Sequence, residues 1–368
     1  MTSSLAIILI AVVTAIASSI IGLFLVLRKM SMLIDAISHT VLFGIVVGFL
    51  ITNDINSPWV VIAATATGVF TSWLIELLIK SKKISEDAAT GVVFPLLFSI
   101  AILIVSSPNT NLRNTNINVD SIFIGHIELA SLELLHVGAI TIPKNLILPL
   151  IILLINIVFI VVFYKELKIM SFDEALAKVL GFSPIIIHYL LTTLVSATAV
   201  IAFDLVGAIM VVSLMIGPGA TALMVTKDLK QTILVTILVA VFNVLVGYFI
   251  GDFLVLPISG GISVTTMIVF LITALGNHRS GIIVNIFKRR QLKYIYKVVA
   301  MLVHVKNHEG AADEREEIAL DTIISMLNWS EKEFNDVYEY TLSKNYIKLE
   351  NNIIRITTEG IKFKEQYL

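Results

Sequence analysis

Apolar runs long enough to cross a bilayer recur along most of the chain, and this sets what it can fold into. A membrane helix needs about 20 mostly apolar residues. Such runs lie at Leu5–Leu27, Met32–Ile51, Pro58–Ile79, Gly91–Ser106, Leu146–Tyr164, Pro184–Phe203, Val206–Thr226, Thr232–Ile250 and Ile262–Gly276. In hydrocarbon every backbone polar group must be satisfied within the protein, so these runs must be helices. The sequence therefore predicts an all-α polytopic membrane protein of about nine transmembrane helices. Composition agrees: 57% of residues are hydrophobic and only 14% charged, against roughly 25% charged in soluble domains. The segment Asp120–Ile142 is too polar for a span and is expected to form an interfacial or re-entrant helix.

Basic residues in short loops set the orientation. Arg28–Lys29, Lys80–Lys83, Lys165–Lys178, Lys227–Lys230 and Arg279–Arg290 fall on one side of the nine-span path. That side is expected to be cytoplasmic, with the N-terminus outside and the C-terminal end inside. Only Arg113 and Lys144 fall on the outer side. The first run has no basic segment before it and is too long for a cleaved leader, so it reads as a span. The expected domains are 1–288, in the membrane, and 289–368, in the cytoplasm.

Several activities are excluded. There is no cysteine, hence no thiolate metal site and no cysteine nucleophile. No G-x-x-x-x-G-K-[ST] loop is present, so the chain has no ATPase site of that kind, and no resident cofactor is expected. The H-E-x-x-H and G-x-S-x-G patterns are also missing.

Ionisable groups inside apolar helices are costly and tend to mark pathways. Asp35 and His39 stand four residues apart in the second span, hence on one helical face. A carboxylate oxygen and an imidazole nitrogen suit Mn²⁺, Fe²⁺ or Zn²⁺. The same spacing also suits a helix-gluing hydrogen bond. Ser38 lies beside the pair and Met32 one turn before it. Two ligands are too few for a site; a two-fold dimer would supply a second pair. His126, Glu128 and Asp204 are weaker candidates that read equally as interfacial residues. Glu76, near a helix end, is assigned no role.

Gly44-xxx-Gly48 and Gly247-xxx-Gly251 are close-packing patterns. Gly217-Pro218-Gly219 is expected to kink or unwind its helix and shape a gate, because proline removes a backbone donor. In the polar segment YKELKIMSFDEALAKVLGFSP, Ser171 is expected to cap a short helix. Asp173 and Glu174 would lie in its first turn and Gly181 at its end.

These pieces carry a resemblance. LRKMSMLIDAISHTVLFGIVVGFL (27–50) resembles the second-span signature of the zinc- and manganese-type permeases of ATP-binding-cassette metal importers. Ser171–Gly181 is similar to that family's S-F-D-x-x-x-A-x-x-x-G coupling segment, and VGAIMVVSLMIGPGATAL (206–223) to a later span. The pieces occur in the family order over about residues 5–276. Phe43 stands where the family usually has proline, and His126 where it often has an acidic residue. The resemblance implies a homodimer or a pair of similar permeases. It implies two cytoplasmic ATPases contacting Ser171, Phe172, Asp173, Glu174, Ala177 and Gly181, and an extracytoplasmic metal-binding protein. It further implies that Asp35 and His39 bind the transported Mn²⁺ or Zn²⁺, with manganese preferred.

The tail has apolar residues at helical spacing over Lys293–Lys306, Ile318–Leu327 and Ser330–Lys344. Ser330 and Glu333 form a capping-box pattern. YIKLENNIIRITTEGIKF alternates as a hairpin around Glu350-Asn351-Asn352. This order resembles a winged helix-turn-helix domain. Residues 291–368 nevertheless hold ten Lys/Arg against thirteen Asp/Glu, net −3. DNA is thus not expected as a partner, and a protein-contact or regulatory role is preferred. His304, His308 and Glu309 are candidates to sense metal, at a spacing that also suits a solvated cluster. A membrane-tethered transcription regulator and a proton-coupled carrier are the alternative function classes.

Overall fold

A computed structural model describes residues 3–54, 57–81, 83–107, 127–130, 134–137, 140–277 and 281–367. The chain divides into two compact units, Met1–Asn277 and His278–Leu368.

The first unit runs α1 (Ser3–Leu27), α2 (Ser31–Thr52), α3 (Pro58–Lys80), α4 (Glu86–Ser106) and the short α5 (Ile127–Ala130). Strands β1 (Leu134–Val137) and β2 (Ile140–Pro143) follow, then α6 (Ile147–Val162), α7 (Tyr164–Phe172) and α8 (Glu174–Val179). The unit closes with α9 (Pro184–Val225), α10 (Leu229–Leu254) and α11 (Ile258–Gly276). Among the described residues eight helices are long and apolar enough to cross a membrane.

One of the eight, α9, has 42 residues, roughly 63 Å at 1.5 Å per residue, twice the ~30 Å hydrocarbon core. Its regular backbone breaks at Gly207, at φ 78 and ψ 163, a conformation that glycine adopts without a Cβ penalty. Both halves return to the C-terminal end of α1. His188 of the first half meets Arg28, while Gly219 of the second half packs on Leu23. The helix therefore doubles back and makes two passes, as the two expected runs Pro184–Phe203 and Val206–Thr226 require. The expected unwinding at Gly217-Pro218-Gly219 does not occur: all three residues lie within continuous helix, and the backbone break falls ten residues before Gly217. Proline lacks one donor, but a neighbouring turn tolerates that loss in an apolar bundle. Gly217 and Gly219 serve close packing instead, against Thr266 and Leu23.

The small-residue patterns act as read. A Cβ on Gly44 would lie 2.4 Å from Ala64 Cα, and one on Gly247 would lie 2.4 Å from Ile262 Cα. These positions set the spacing of α2 on α3 and of α10 on α11. Gly44→Leu is expected to lower stability by about 1–3 kcal/mol through overpacking, read as an earlier thermal transition in detergent. Polar glue adds to this packing: buried Asn156 of α6 donates to the Ala17 carbonyl (3.1 Å) and to Thr198 Oγ1 (3.0 Å), joining α1, α6 and α9.

The described part of Asp120–Ile142 is not the expected helix. It holds the four-residue α5 and an antiparallel β1–β2 pair with Leu134 opposite Pro143. Val137, Ile140, Thr141 and Ile142 are β-branched and favour extended backbone.

The second unit comprises α12 (Ile282–His308), α13 (Glu314–Glu317), α14 (Ile323–Leu327), α15 (Glu331–Ser343), β3 (Ile347–Glu350), β4 (Ile353–Ile356) and α16 (Thr358–Tyr367). The expected boundary after residue 288 falls inside α12. The capping box at Ser330–Glu333 is formed. The hairpin turns at Asn351 and Asn352, both at positive φ, as a two-residue primed turn needs. The last part of the expected hairpin segment, residues 358–363, instead belongs to the helix Thr358–Tyr367. Thr357 caps its start, its Oγ1 accepting from Gly360 N at 3.1 Å. Val298, Met301, Leu302, Val305, Phe334 and Ile354 form the core of this unit. Lys297 lies 2.5 Å from Glu333 and, as its hydrogen-bond partner, holds that exposed carboxyl below the ordinary glutamate range.

Candidate metal-path residues

The sequence of α2 places Asp35 and His39 one turn apart, and the fold leaves that face uncovered. His39 Nε2 lies 3.5 Å from Asp35 Oδ1, and the side chains remain 28% and 35% exposed. Apolar residues surround them along the same stripe: Met32 and Leu50 are exposed and Phe43 is half-buried. The pair is thus a polar notch in an apolar helix face. Two phenyl rings of α4 back the imidazole. Phe94 stacks on it with centroids 5.4 Å apart, and Phe98 meets it edge-on at 6.0 Å. They fix the ring plane and exclude water from one side. Neither phenylalanine was singled out by sequence, because an apolar residue in an apolar span carries no signal there. Ser38 does not join the pair. It is buried, and its hydroxyl donates to the Ile34 carbonyl at 2.9 Å.

The weaker candidates separate. Glu128 Oε1 accepts from Ile258 N at 3.0 Å and so caps α11, where the helix dipole favours an anion. Asp204 is exposed beside the Gly207 break. His126 lies outside the described residues.

The segment 164–184 forms two short helices rather than one. Ser171 lies inside α7 and donates to the Leu167 carbonyl (2.7 Å). Asp173 is the cap of α8, its carboxylate accepting from Leu176 N at 2.9 Å. Asp173 wins because its extended backbone ends α7, whereas a serine inside a helix bonds back along the turn. Glu174 pairs with Lys178 at 3.0 Å, Ala177 is buried, and Gly181 takes the positive φ of 85 that ends the helix. Phe172, Leu176, Val179 and Leu180 are exposed, Val179 at 84%.

Glu76 belongs to a network and is not the solvated residue the sequence implied. Its Oε1 lies 2.6 Å from His188 Nε2 and its Oε2 accepts from Tyr189 OH at 2.8 Å. Arg28 Nη1 lies 3.2 Å from His188 Nδ1. A guanidinium only donates, so Nδ1 carries the lone pair and the proton is on Nε2, facing the carboxylate. The Nε2 contact is close but poorly aligned for a hydrogen bond, so we describe it as an ion-dipole contact. The network joins the α1–α2 turn, α3 and α9, and with Ser171, Phe172, Glu174 and Lys178 it lines a cavity of about 580 Å³. An ionisable residue in an apolar run was the available signal; Glu76 was discounted for lying near its helix end.

Similarity to known proteins follows this geometry. The chain is 32% identical over 362 residues to the zinc transport system membrane protein TroD of Treponema pallidum, covering 98% of both chains. It is 37% identical over 273 residues to the manganese transport system membrane protein MntD of Bacillus subtilis, covering 74% of this chain and 91% of that one. Among solved structures it resembles PsaBC from Streptococcus pneumoniae in complex with Fab. The TM-score is 0.63 with 26% identity, over 79% of this chain and 96% of that chain. The family model described as ABC 3 transport family matches residues 3–277, the whole of the first unit except its first two residues, and the chain belongs to that family.

Proposed function

We propose that this chain is the multi-pass permease of an ATP-binding-cassette importer that carries a divalent transition metal into the cytoplasm. Manganese is the favoured cargo, then zinc or iron. The observation that carries the reading is the Asp35–His39 pair, 3.5 Å apart and half-exposed on an otherwise apolar helix face. One carboxylate and one imidazole per chain make half a site; a second permease copy facing the same stripe completes two carboxylates and two imidazoles. Such a shared site binds when the α2 helices approach and releases when they part. The manganese and zinc transport names of MntD and TroD support metal as cargo.

An extracytoplasmic metal-binding protein delivers the ion, and cytoplasmic ATP-binding subunits drive release. Their docking surface is α7–α8, with exposed Phe172 and Val179. Membrane lipid covers the outward apolar faces of helices such as α6, where Leu154, Val158 and Val161 are exposed. In this orientation the N-terminus is outside and the tail is cytoplasmic. The tail is a winged-helix-like regulatory extension, and the acidic α15 (Glu331, Glu333, Asp336, Glu339) makes DNA a poor partner. Val179→Asp is expected to weaken ATPase docking about tenfold, ~1.4 kcal/mol, and to lower uptake while membrane insertion stays normal. Co-purification of the ATPase and uptake measure the two effects.

The experiment that tests the function is uptake by the reconstituted complex with Mn²⁺, Zn²⁺ and Fe²⁺ in direct competition. ATP-dependent accumulation of one of them is the expected result. Accumulation that persists without an ATPase and follows a proton gradient overturns the reading.

A further inference from the structure

We propose that His304, His308 and Glu317 form a divalent-transition-metal site in the second unit, separate from the membrane pair and independent of the transport reading. His304 and His308 are four residues apart at the end of α12, which stacks their side chains on one face. Their ring centroids are 4.8 Å apart. Glu317, at the end of α13, brings its carboxylate oxygen Oε2 within 3.5 Å of His304 Nε2, which also donates to the Glu317 main-chain carbonyl at 3.1 Å and would release that proton to an incoming ion. The three residues each offer one ligand atom, and these atoms lie within 4.8 Å of one another.

The surroundings single out these three. Glu309, the carboxylate nearest in sequence, faces cations: Lys306 at 3.4 Å and Arg355 at 3.7 Å. Arg355 also pairs with Glu314 at 3.3 Å. Asp313 takes a different part, its Oδ2 lying 2.9 Å from His308 Nδ1. A carboxylate behind an imidazole is the outer partner that metal-binding histidines use. With Nδ1 donating to Asp313, Nε2 is the ring nitrogen left for an ion. The path from α12 to α13 turns at Gly310, whose φ of 78 lets the chain fold back so that residue 317 reaches residue 304.

Two imidazoles and a carboxylate suit Zn²⁺, Co²⁺, Fe²⁺ or Mn²⁺ and not Ca²⁺ or Mg²⁺. Three protein ligands leave a coordination position for water. Metal–ligand bonds of about 2.1 Å place tetrahedral ligand atoms roughly 3.4 Å apart. The half-buried side chains must therefore draw in by about 1 Å or more, which side-chain rotation supplies. A bound ion would staple the end of α12 to α13.

The test titrates Co²⁺ into the tag-free full-length chain in detergent, following visible absorption and bound metal per chain. Wild type and His39→Ala are expected to share one tight equivalent. It is weakened at least tenfold in Glu317→Gln and lost in the His304→Gln/His308→Gln double variant, and Asp313→Asn weakens it about 10–100-fold. Hydrogen exchange over residues 304–317 is expected to slow with Co²⁺ in wild type and His39→Ala, and not in the double variant. Retention of the same equivalent with unchanged affinity in both the Gln variants overturns the site. So does exchange over 304–317 that ignores Co²⁺ in wild type.

Discussion

Asp35→Asn and His39→Ala are each expected to lower metal uptake by at least about a hundredfold, while the protein still inserts and assembles. Replacing the carboxylate by an amide keeps size and removes the charge that offsets a dication in a low-dielectric setting, where charge interactions are several times stronger than in water. Removing the imidazole takes away the nitrogen ligand and leaves Phe94 and Phe98 without their partner. Changes to metal ligands' outer partners alone cost 10–100-fold, so loss of a ligand sets a floor near the upper end of that range. Both side chains are part exposed, so neither change opens a core cavity, and stability should shift by under about 1 kcal/mol. Uptake of radioactive or fluorescent-reported metal by the assembled complex, with thermal stability alongside, separates the two effects. Normal uptake in either variant removes the proposed ligand role.

The passes through the membrane were legible because hydrocarbon allows few alternatives: an apolar run of the right length must be a helix. Even the doubled α9 was legible, since Pro184–Phe203 and Val206–Thr226 are separate runs. The gap between those runs lies within a few residues of the break, though it does not name the residue that makes it: the sharp turn requires positive φ, and Gly207 meets that need. Similarly, Ser171 and Asp173 are both acceptable caps by type. The choice depended on which residue leaves the preceding helix with extended backbone. The hairpin at Asn351–Asn352 was read correctly because two asparagines tolerate positive φ, whereas the following α16 was hidden by a strand-like start. The contact between Asp35 and His39 was legible from their spacing. Phe94, Phe98, Arg28 and His188 were not, because each acts through a neighbour 50 or more residues away in the sequence or through ordinary-looking helix composition. In the tail, the contact of His304 with Glu317 was hidden, because it depends on the turn at Gly310 and not on spacing along the chain.

Glu76→Ala is expected to destabilise the membrane unit by about 1.5–3 kcal/mol, the range for a lost hydrogen bond to a charged group, and to reduce uptake as well. The carboxylate faces both the His188 Nε2–H and the Tyr189 hydroxyl. His188 is 6% exposed and cannot turn to water. Without Glu76 its Nε2–H loses the facing negative charge, and Arg28, one contact further on, loses one of its compensating anions while Glu174 and Glu86 remain. Glu76→Gln keeps one acceptor oxygen for His188 and turns its NH2 toward the Tyr189 hydroxyl, which then accepts, but it loses the charge, so its cost should be about half as large. The wild type–glutamine difference then reports how much of the effect is charge. Because the same cavity is lined by Phe172 and Glu174 of the coupling segment, movement there would be felt by Arg28, Glu76 and His188 together. In a double-mutant cycle, Glu76→Ala and Arg28→Ala should couple by about 1 kcal/mol or more, since each removes the other's partner through His188. Thermal unfolding of the four chains measures this directly. Additive effects within about 0.3 kcal/mol would mean that the imidazole does not transmit the charge of Glu76 to Arg28, and that the three helices meet at this point by packing alone.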